Sequence, residues 1–389
     1  MADARDTRLL RVLVANDHLG HQGGAAHGVT TYLLAVLPRL RQANVQVVPC
    51  FLGPYHPAAE RLVNDGVEPR FLERGKWDLR ALSDMLALVR EHDINLIHAA
   101  GLKGMLLARI IGRMSGIPVI THFHDQKPLG VVFRTLFRMT AAWSAAALAV
   151  SRSVARFVVK ELHTPEARVT VLHNGVDTTA FGSDLEGQRD RLRQEFAFPS
   201  DATVVGIIGR LSPEKGHQRF LETVPAMLRA RPGIRVLIVG DGVCRRHLES
   251  VVDVMGLADI VRFAGFRRDI PAVLTALDVV AIPSFSDGFP YVALEAMAAR
   301  RPVVAHAIGG IPETVRDGET GLLVEPDDPD GFPRAIARLC SEGRLRERLV
   351  GNGRRLVAQM SIDNHVAALL NLYRKLSCTS ADRAMRVAE

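Results

Sequence analysis

In this chain of 389 residues, Arg210 and Lys215 stand five apart and Asp287 and Glu295 stand eight apart. These two pairs are the side chains whose types and spacing best suit chemistry. A guanidinium offers a planar fork and an ammonium a compact charge, so the first pair can converge on one diphosphate. Asp287 lies just ahead of Pro290, a residue that suits the start of a helix because its missing N–H would be unpaired there anyway. The carboxylate therefore sits in a turn feeding a helix N-terminus, where free N–H groups and the helix dipole favour oxygen-rich ligands. Glu295 follows about one and a half turns into that helix. Two carboxylates so placed can accept from two separate clusters of hydroxyl groups, which is a geometry for binding sugar.

Strands are needed to set these residues. Positions 278–283 read as a short buried strand ahead of Asp287, and 203–209 as another ahead of Arg210. The same rhythm runs along the chain. Further strands are expected at 9–15, 45–49, 94–98, 116–121, 147–151, 169–177, 234–240, 261–266, 301–305 and 321–324. Helices are expected at 29–41, 79–92, 102–115, from 217, at 344–360 and at 363–376. Strands alternating with helices imply parallel sheets covered on both faces, with ligands at the C-terminal strand ends. The length suggests two domains. Polar residues 182–201, with Gly182, Gly187 and Pro199, read as the connector and first helix of the second half. Residues after Ser377 read as a polar tail beyond the last helix.

Composition narrows the class. Apolar residues make up 48% and aromatics 5%, which suits an Ala/Val/Leu-rich α/β protein rather than a disordered or fibrous one. The net charge of +7 is scattered along the chain without a nucleic-acid motif, so it favours a phosphorylated substrate and an anionic surface over DNA. Cys50, Cys244, Cys340 and Cys378 show no CxxC spacing, so neither a disulfide framework nor a zinc site is expected. The polar start lacks a signal-peptide pattern and the weakly polar run 139–150 is too short for a membrane span. A cytoplasmic protein is expected. His18, His21 and His27 crowd the Gly-rich loop after the first strand without acidic or Cys partners, and His122 and His124 lack a third ligand, so no metal is expected. Arg134 and Arg138 share a helix face near Lys127, among Phe133, Leu136, Phe137 and Met139. That pattern reads as an amphipathic core helix with a solvated side, with peripheral contact to anionic lipid as the other reading.

The stretch from Asp287 to Glu295 resembles the acid-x7-Glu motif of the retaining, nucleotide-sugar-dependent glycosyltransferases of the GT-B fold, family 4. Residues 209–216 match that family's G-R-x-x-x-x-K-G motif, and Asn174 to Asp177 its Asn-Gly-Val-Asp signature. The resemblance implies an α/β protein of two doubly wound, Rossmann-like domains facing each other across a cleft. Residues 1–181 would form the acceptor-side domain and 182–362 the nucleotide-sugar domain, with 363–389 crossing back to the first. It assigns the pyrophosphate to Arg210 and Lys215 beside Gly209. It assigns the sugar hydroxyls to Asp287 with Gly288, Phe289, Pro290 and Tyr291, and the ribose diol to Glu295. His124 would orient the sugar and phosphate, Gly23 and Gly24 would face the donor, and Phe266 and Arg267 would lie at the nucleotide base. Two positions depart from the pattern. Asp287 stands where Glu is usual, which points to altered donor preference. Arg300 stands where Gly is usual, which points to a differently shaped helix end.

The implied activity is that of a hexosyltransferase. It would take a UDP- or GDP-linked sugar as co-substrate, with no other cofactor. Transfer would go with retention to a sugar, glycolipid or small-molecule hydroxyl. No D-x-D pattern calls for a divalent metal, and no second carboxylate suits a double displacement. A nucleotide-sugar epimerase of the same fold and a catalytically silent sugar-nucleotide-binding protein are the alternatives.

Overall fold

The computed structural model describes residues 9–20, 28–75, 78–182 and 187–388. The chain divides into two compact units, Met1–Asn174 with Ile362–Glu389, and Gly175–Ser361. The division thus falls after Asn174 rather than after residue 181.

The first unit begins with β1 (Arg11–Asn16), α1 (Gly28–Gln42), β2 (Gln46–Phe51), α2 (Ala59–Asn64), β3 (Arg70–Phe71), α3 (Arg80–Glu91) and β4 (Leu96–Ala100). It continues through α4 (Leu102–Ser115), β5 (Val119–Phe123), α5 (Val131–Thr140), β6 (Ala146–Ala149), α6 (Arg152–Lys160) and β7 (Val169–Val171). The second unit holds α7 (Gln188–Glu195), β8 (Thr203–Ile208), α8 (His217–Ala230), β9 (Ile234–Val239), α9 (Arg245–Val254), β10 (Val261–Gly265) and α10 (Ile270–Ala276). It ends with β11 (Val279–Ile282), α11 (Tyr291–Ala298), β12 (Val303–His306), β13 (Leu322–Val324), α12 (Gly331–Ser341) and α13 (Gly343–Gln359). The last helix, α14 (Ile362–Ala388), returns to the first unit and packs on α1 and β4. It runs past Ser377, where a polar tail was expected.

Each unit is one parallel sheet, ordered β3-β2-β1-β4-β5-β6-β7 in the first and β10-β9-β8-β11-β12-β13 in the second. Strands such as β4, β5 and β11 are buried along their whole length, as strands covered by helices on both faces must be. In the second unit Val205, Ile207, Val236 and Ile238 meet Phe220, Val224 and Phe332 in the core. The order reverses between β1 and β4 in the first sheet and between β8 and β11 in the second. Parallel strands end on one edge, so these two switch points are where an open α/β sheet offers a crevice.

The end of α11 corrects one expectation. Arg301 N donates to Ala296 O at 2.8 Å and Arg300 N to Met297 O at 3.1 Å, and Arg300 takes φ 57°. That is the Schellman closure, the form a glycine would take. The arginine keeps the usual helix end and bears the left-handed strain itself. Arg300→Gly is therefore expected to stabilise the protein by about 1 kcal/mol, read as a thermal midpoint raised by roughly 2–4 °C.

Candidate functional site

The site in the second unit is built where β8 and β11 end. Past β8, Gly209 N donates to Val239 O at 2.9 Å and Leu211 N to Asp241 O at 3.0 Å, which anchors the loop to the end of β9. A single 3-10 turn, Pro213–Lys215, follows, and Gly216 then turns into α8 with φ 69°. A Cβ on Gly216 would lie 1.9 Å from Pro283 O, so only glycine lets the backbone after β8 touch the backbone after β11. Phe285 N donates to Glu214 O at 2.8 Å and ties the same loops.

That seam brings two distant motifs together. Lys215 Nζ lies 2.6 Å from Asp287 Oδ2, with the lysine side chain 27% exposed and the aspartate 11%. Arg210 Nη2 is 2.6 Å from Glu214 Oε1. Both cations of the glycine-bounded motif thus face a carboxylate. Glu214 went unremarked in the sequence, although its i,i+4 spacing from Arg210 was the available signal. Gly310 N donates to Asp287 O at 3.0 Å and brings the loop after β12 against the same turn.

Gly288, Phe289 and Pro290 are buried in the turn that enters α11. Phe289 meets Tyr291 edge-on at 6.3 Å. Glu295, the fifth residue of α11, is partly buried, and desolvation pushes its carboxyl up to about 7. His217 opens α8 beside Lys215. Burial, then the nearby ammonium, draws its imidazole down to about 4, and neither ring nitrogen has a partner among the described residues. No sequence motif marks it.

Phe266 and Arg267 follow β10, on the far side of β9 from β8. Phe266 is 39% exposed. Arg267 pairs with Asp269 at 2.6 Å and with Glu195 at 2.5 Å, so its guanidinium serves an internal ion-pair cluster.

His124 belongs to the first unit, just past β5. Its ring lies 4.0 Å from that of His122 and meets Tyr32 at 5.1 Å. Behind it runs a buried array that the sequence did not disclose. Tyr373 Oη lies 2.5 Å from His98 Nδ1, and His98 Nε2 lies 3.1 Å from His122 Nδ1. His365 Nδ1 donates to His173 O at 2.7 Å, which leaves its Nε2 to accept from Tyr32 at 3.4 Å. Burial holds His98 down to about 3 and lowers His122 and His365 as well. Gly23 and Gly24 lie outside the described residues. Among those residues no group of three or more His, Cys, Asp or Glu is arranged to hold a metal ion. Nor is any helix long and apolar enough to cross a membrane.

The chain matches the family model described as Glycosyltransferase Family 4 over residues 26–180, and that described as Glycosyl transferases group 1 over 202–342. It is 29% identical to alpha-D-kanosaminyltransferase of Streptomyces kanamyceticus over 282 residues, which is 69% of this chain and 73% of that one. It is 36% identical to D-inositol 3-phosphate glycosyltransferase of Actinosynnema mirum over 218 residues, 53% of this chain and only 52% of that relative's length. Among solved structures, HepE of Anabaena, in complex with UDP-glucose, is similar with a TM-score of 0.80. The identity there is 22%, covering 93% of this chain and 99% of that one. Two doubly wound parallel α/β units with this likeness define the GT-B class of glycosyltransferase folds. The chain belongs to the group 1 glycosyltransferases of family 4.

Proposed function

We propose that the chain is a retaining hexosyltransferase that moves a sugar from a UDP- or GDP-linked donor to a hydroxyl acceptor without a divalent metal. The observation that carries this reading is the contact of Lys215 with Asp287 at 2.6 Å across the β8/β11 switch point. It puts a diphosphate-binding cation and a hydroxyl-binding carboxylate side by side. An arriving donor separates them. The diphosphate takes Lys215 and Arg210, and the freed Asp287 carboxylate takes sugar hydroxyls together with the N–H groups of Gly288, Phe289 and Tyr291. Glu295 accepts from the ribose diol. When the anomeric C–O bond breaks, the two cations stabilise the charge gathering on the leaving diphosphate. The acceptor oxygen forms the new bond on the same face and gives its proton to a donor phosphate oxygen. On the family resemblance, His124 is an orienting group.

Incubation of UDP- and GDP-sugars with hydroxyl acceptors in excess EDTA tests this. A glycoside with the donor's anomeric configuration, formed at an undiminished rate, is expected. An inverted product overturns retention, loss of rate in EDTA overturns metal independence, and conversion of the donor without acceptor favours the epimerase reading.

The acceptor side has its own support. On α5 and the turn after it, Val131, Val132, Leu136, Met139 and Trp143 are between 41 and 72% exposed. Phe137 and Thr140 face inward, and buried Arg109 bonds the Thr140 hydroxyl at 3.1 Å and holds the helix in place. An outward apolar stripe with a tryptophan, flanked by Arg134, Arg138 and Lys127, suits the headgroup layer of an anionic bilayer. We read it as a docking face for that surface, where a glycolipid acceptor resides. The protein is expected to float with phosphatidylglycerol vesicles and not with phosphatidylcholine ones, and Leu136→Glu with Met139→Glu should weaken binding at least tenfold. Wild-type protein left in the bottom fraction rejects the surface while leaving transfer to soluble acceptors untouched.

A further inference from the structure

Beside His124 the first unit holds a pocket whose free volume, about 10 Å³, leaves room for a single water molecule. Its walls include Asn16 at the end of β1, Tyr32 of α1, His98 of β4 and His122 of β5. Two of these lining residues carry buried nitrogens, Asn16 Nδ2 and His122 Nε2, with no hydrogen-bond partner among the described residues. Asn16 is 5% exposed and His122 1%. Two buried polar nitrogens on residues lining one pocket are a demand for a ligand, since each unmet group costs about 1–3 kcal/mol.

What they demand depends on where the hydrogens are. The Tyr373 hydroxyl is fully buried and its one hydrogen-bond partner among the described residues is His98 Nδ1. A buried hydroxyl with a single partner spends its proton on it, because an idle donor is costlier than an idle lone pair. His98 Nδ1 is then the acceptor, and the single hydrogen of the neutral ring sits on Nε2 and points to His122 Nδ1. His122 must in turn carry its hydrogen on Nε2. Burial keeps both rings neutral, so this relay has one direction. Asn16 Nδ2 is a donor by its chemistry.

We propose that this pocket is a binding site for one hydrogen-bond-accepting oxygen, a water molecule, held by Asn16 Nδ2–H and His122 Nε2–H, with Tyr373 of α14 fixing the His122 tautomer through His98. Tyr373 is then a positioning residue. The bound oxygen and the His98 bond hold the His122 ring at both nitrogens, and that ring supports His124. The last helix thereby sets the orientation of a residue at the end of β5. Nothing in this depends on which reaction the protein performs.

The test is spectroscopic and needs no turnover. In protein labelled with ¹⁵N-histidine, His122 is expected to show a protonated Nε2 and a pyridine-type Nδ1, with a cross-relaxation peak between its Nε2 proton and water. Tyr373→Phe should move the His98 Nδ1 signal toward the unbonded pyridine-type position. Asn16→Leu, which removes one donor and fills the space, should abolish the water peak while His122 keeps its tautomer. A wild-type His122 protonated on Nδ1, or an Nε2 proton without contact to water, overturns the proposal. The wild-type spectrum decides even where a variant fails to fold.

Discussion

Lys215→Ala is expected to lower kcat/KM on the order of a hundred- to a thousandfold, the range seen when a single charge-stabilising donor is removed from an active site. In the proposed reaction the ammonium meets the diphosphate just as negative charge builds on it, so its loss raises the barrier more than it weakens donor binding. The same substitution has a second effect that separates function from scaffolding. Lys215 lies 2.6 Å from Asp287, whose side chain is only 11% exposed. Removing the lysine leaves that carboxylate without its partner and should cost about 1–2 kcal/mol, less than a fully buried pair because the site is partly solvated. Lys215→Ala combined with Asp287→Asn should recover most of the lost thermal midpoint, since no orphan charge remains. It should recover none of the turnover. If Lys215→Ala loses stability and keeps its rate, the pair is a structural tether and the proposed role of the cation fails. Lys215→Arg adds a check: the charge survives but the compact geometry does not, so partial activity is expected.

How much of this was readable in advance follows from range. The placement of Arg210, Lys215, Asp287 and Glu295 after strands and at helix starts was legible because strand-then-turn-then-helix is a local pattern. A parallel sheet then carries every such turn to one edge without further information. The Lys215–Asp287 pair joins residues 72 apart and Tyr373 meets His98 across 275. No spacing rule reaches that far, so the buried His–Tyr array is invisible in the sequence even though His122 and His124 stand out there. β3 is two residues long, too short to show a period of two. At Arg300 the sequence suggests a differently shaped helix end, and the structure shows the ordinary closure instead. Its cost is local strain of about 1–2 kcal/mol, and two closing hydrogen bonds with the packing of α11 outweigh it. The helix of residues 131–140 was seen as amphipathic, but its pattern could not show that one apolar face stays outside. Phe137 is buried while Leu136 and Met139 are not, a distinction that depends on what packs against the helix.

Glu295 gives the other large effect, a pH dependence of donor binding. Its carboxyl sits at about 7 rather than the usual 4.5, because burial disfavours the charged form. In the free protein it is therefore mostly protonated below pH 7 and mostly ionised above it. A ribose diol offers two hydroxyl donors and calls for the carboxylate, so binding must remove the proton first. Affinity for a nucleotide sugar should be flat above pH 7 and fall toward tenfold per pH unit below it. A nucleotide sugar is the right probe, since its diester phosphates do not titrate in this range. Stability in the absence of donor moves the opposite way. A pKa raised above the unfolded value gives stability that is present below 4.5 and lost as pH rises through 7, amounting to about 2 kcal/mol for a partly solvated group. Glu295→Gln should thus melt higher than the parent at pH 8 without ligand, while binding donor at least tenfold more weakly and with a flat pH profile. A variant that gains stability yet keeps wild-type affinity and its pH dependence would show that the titrating group at the donor site is another residue. One that loses affinity and retains the slope would place Glu295 in contact with the donor but assign the proton elsewhere.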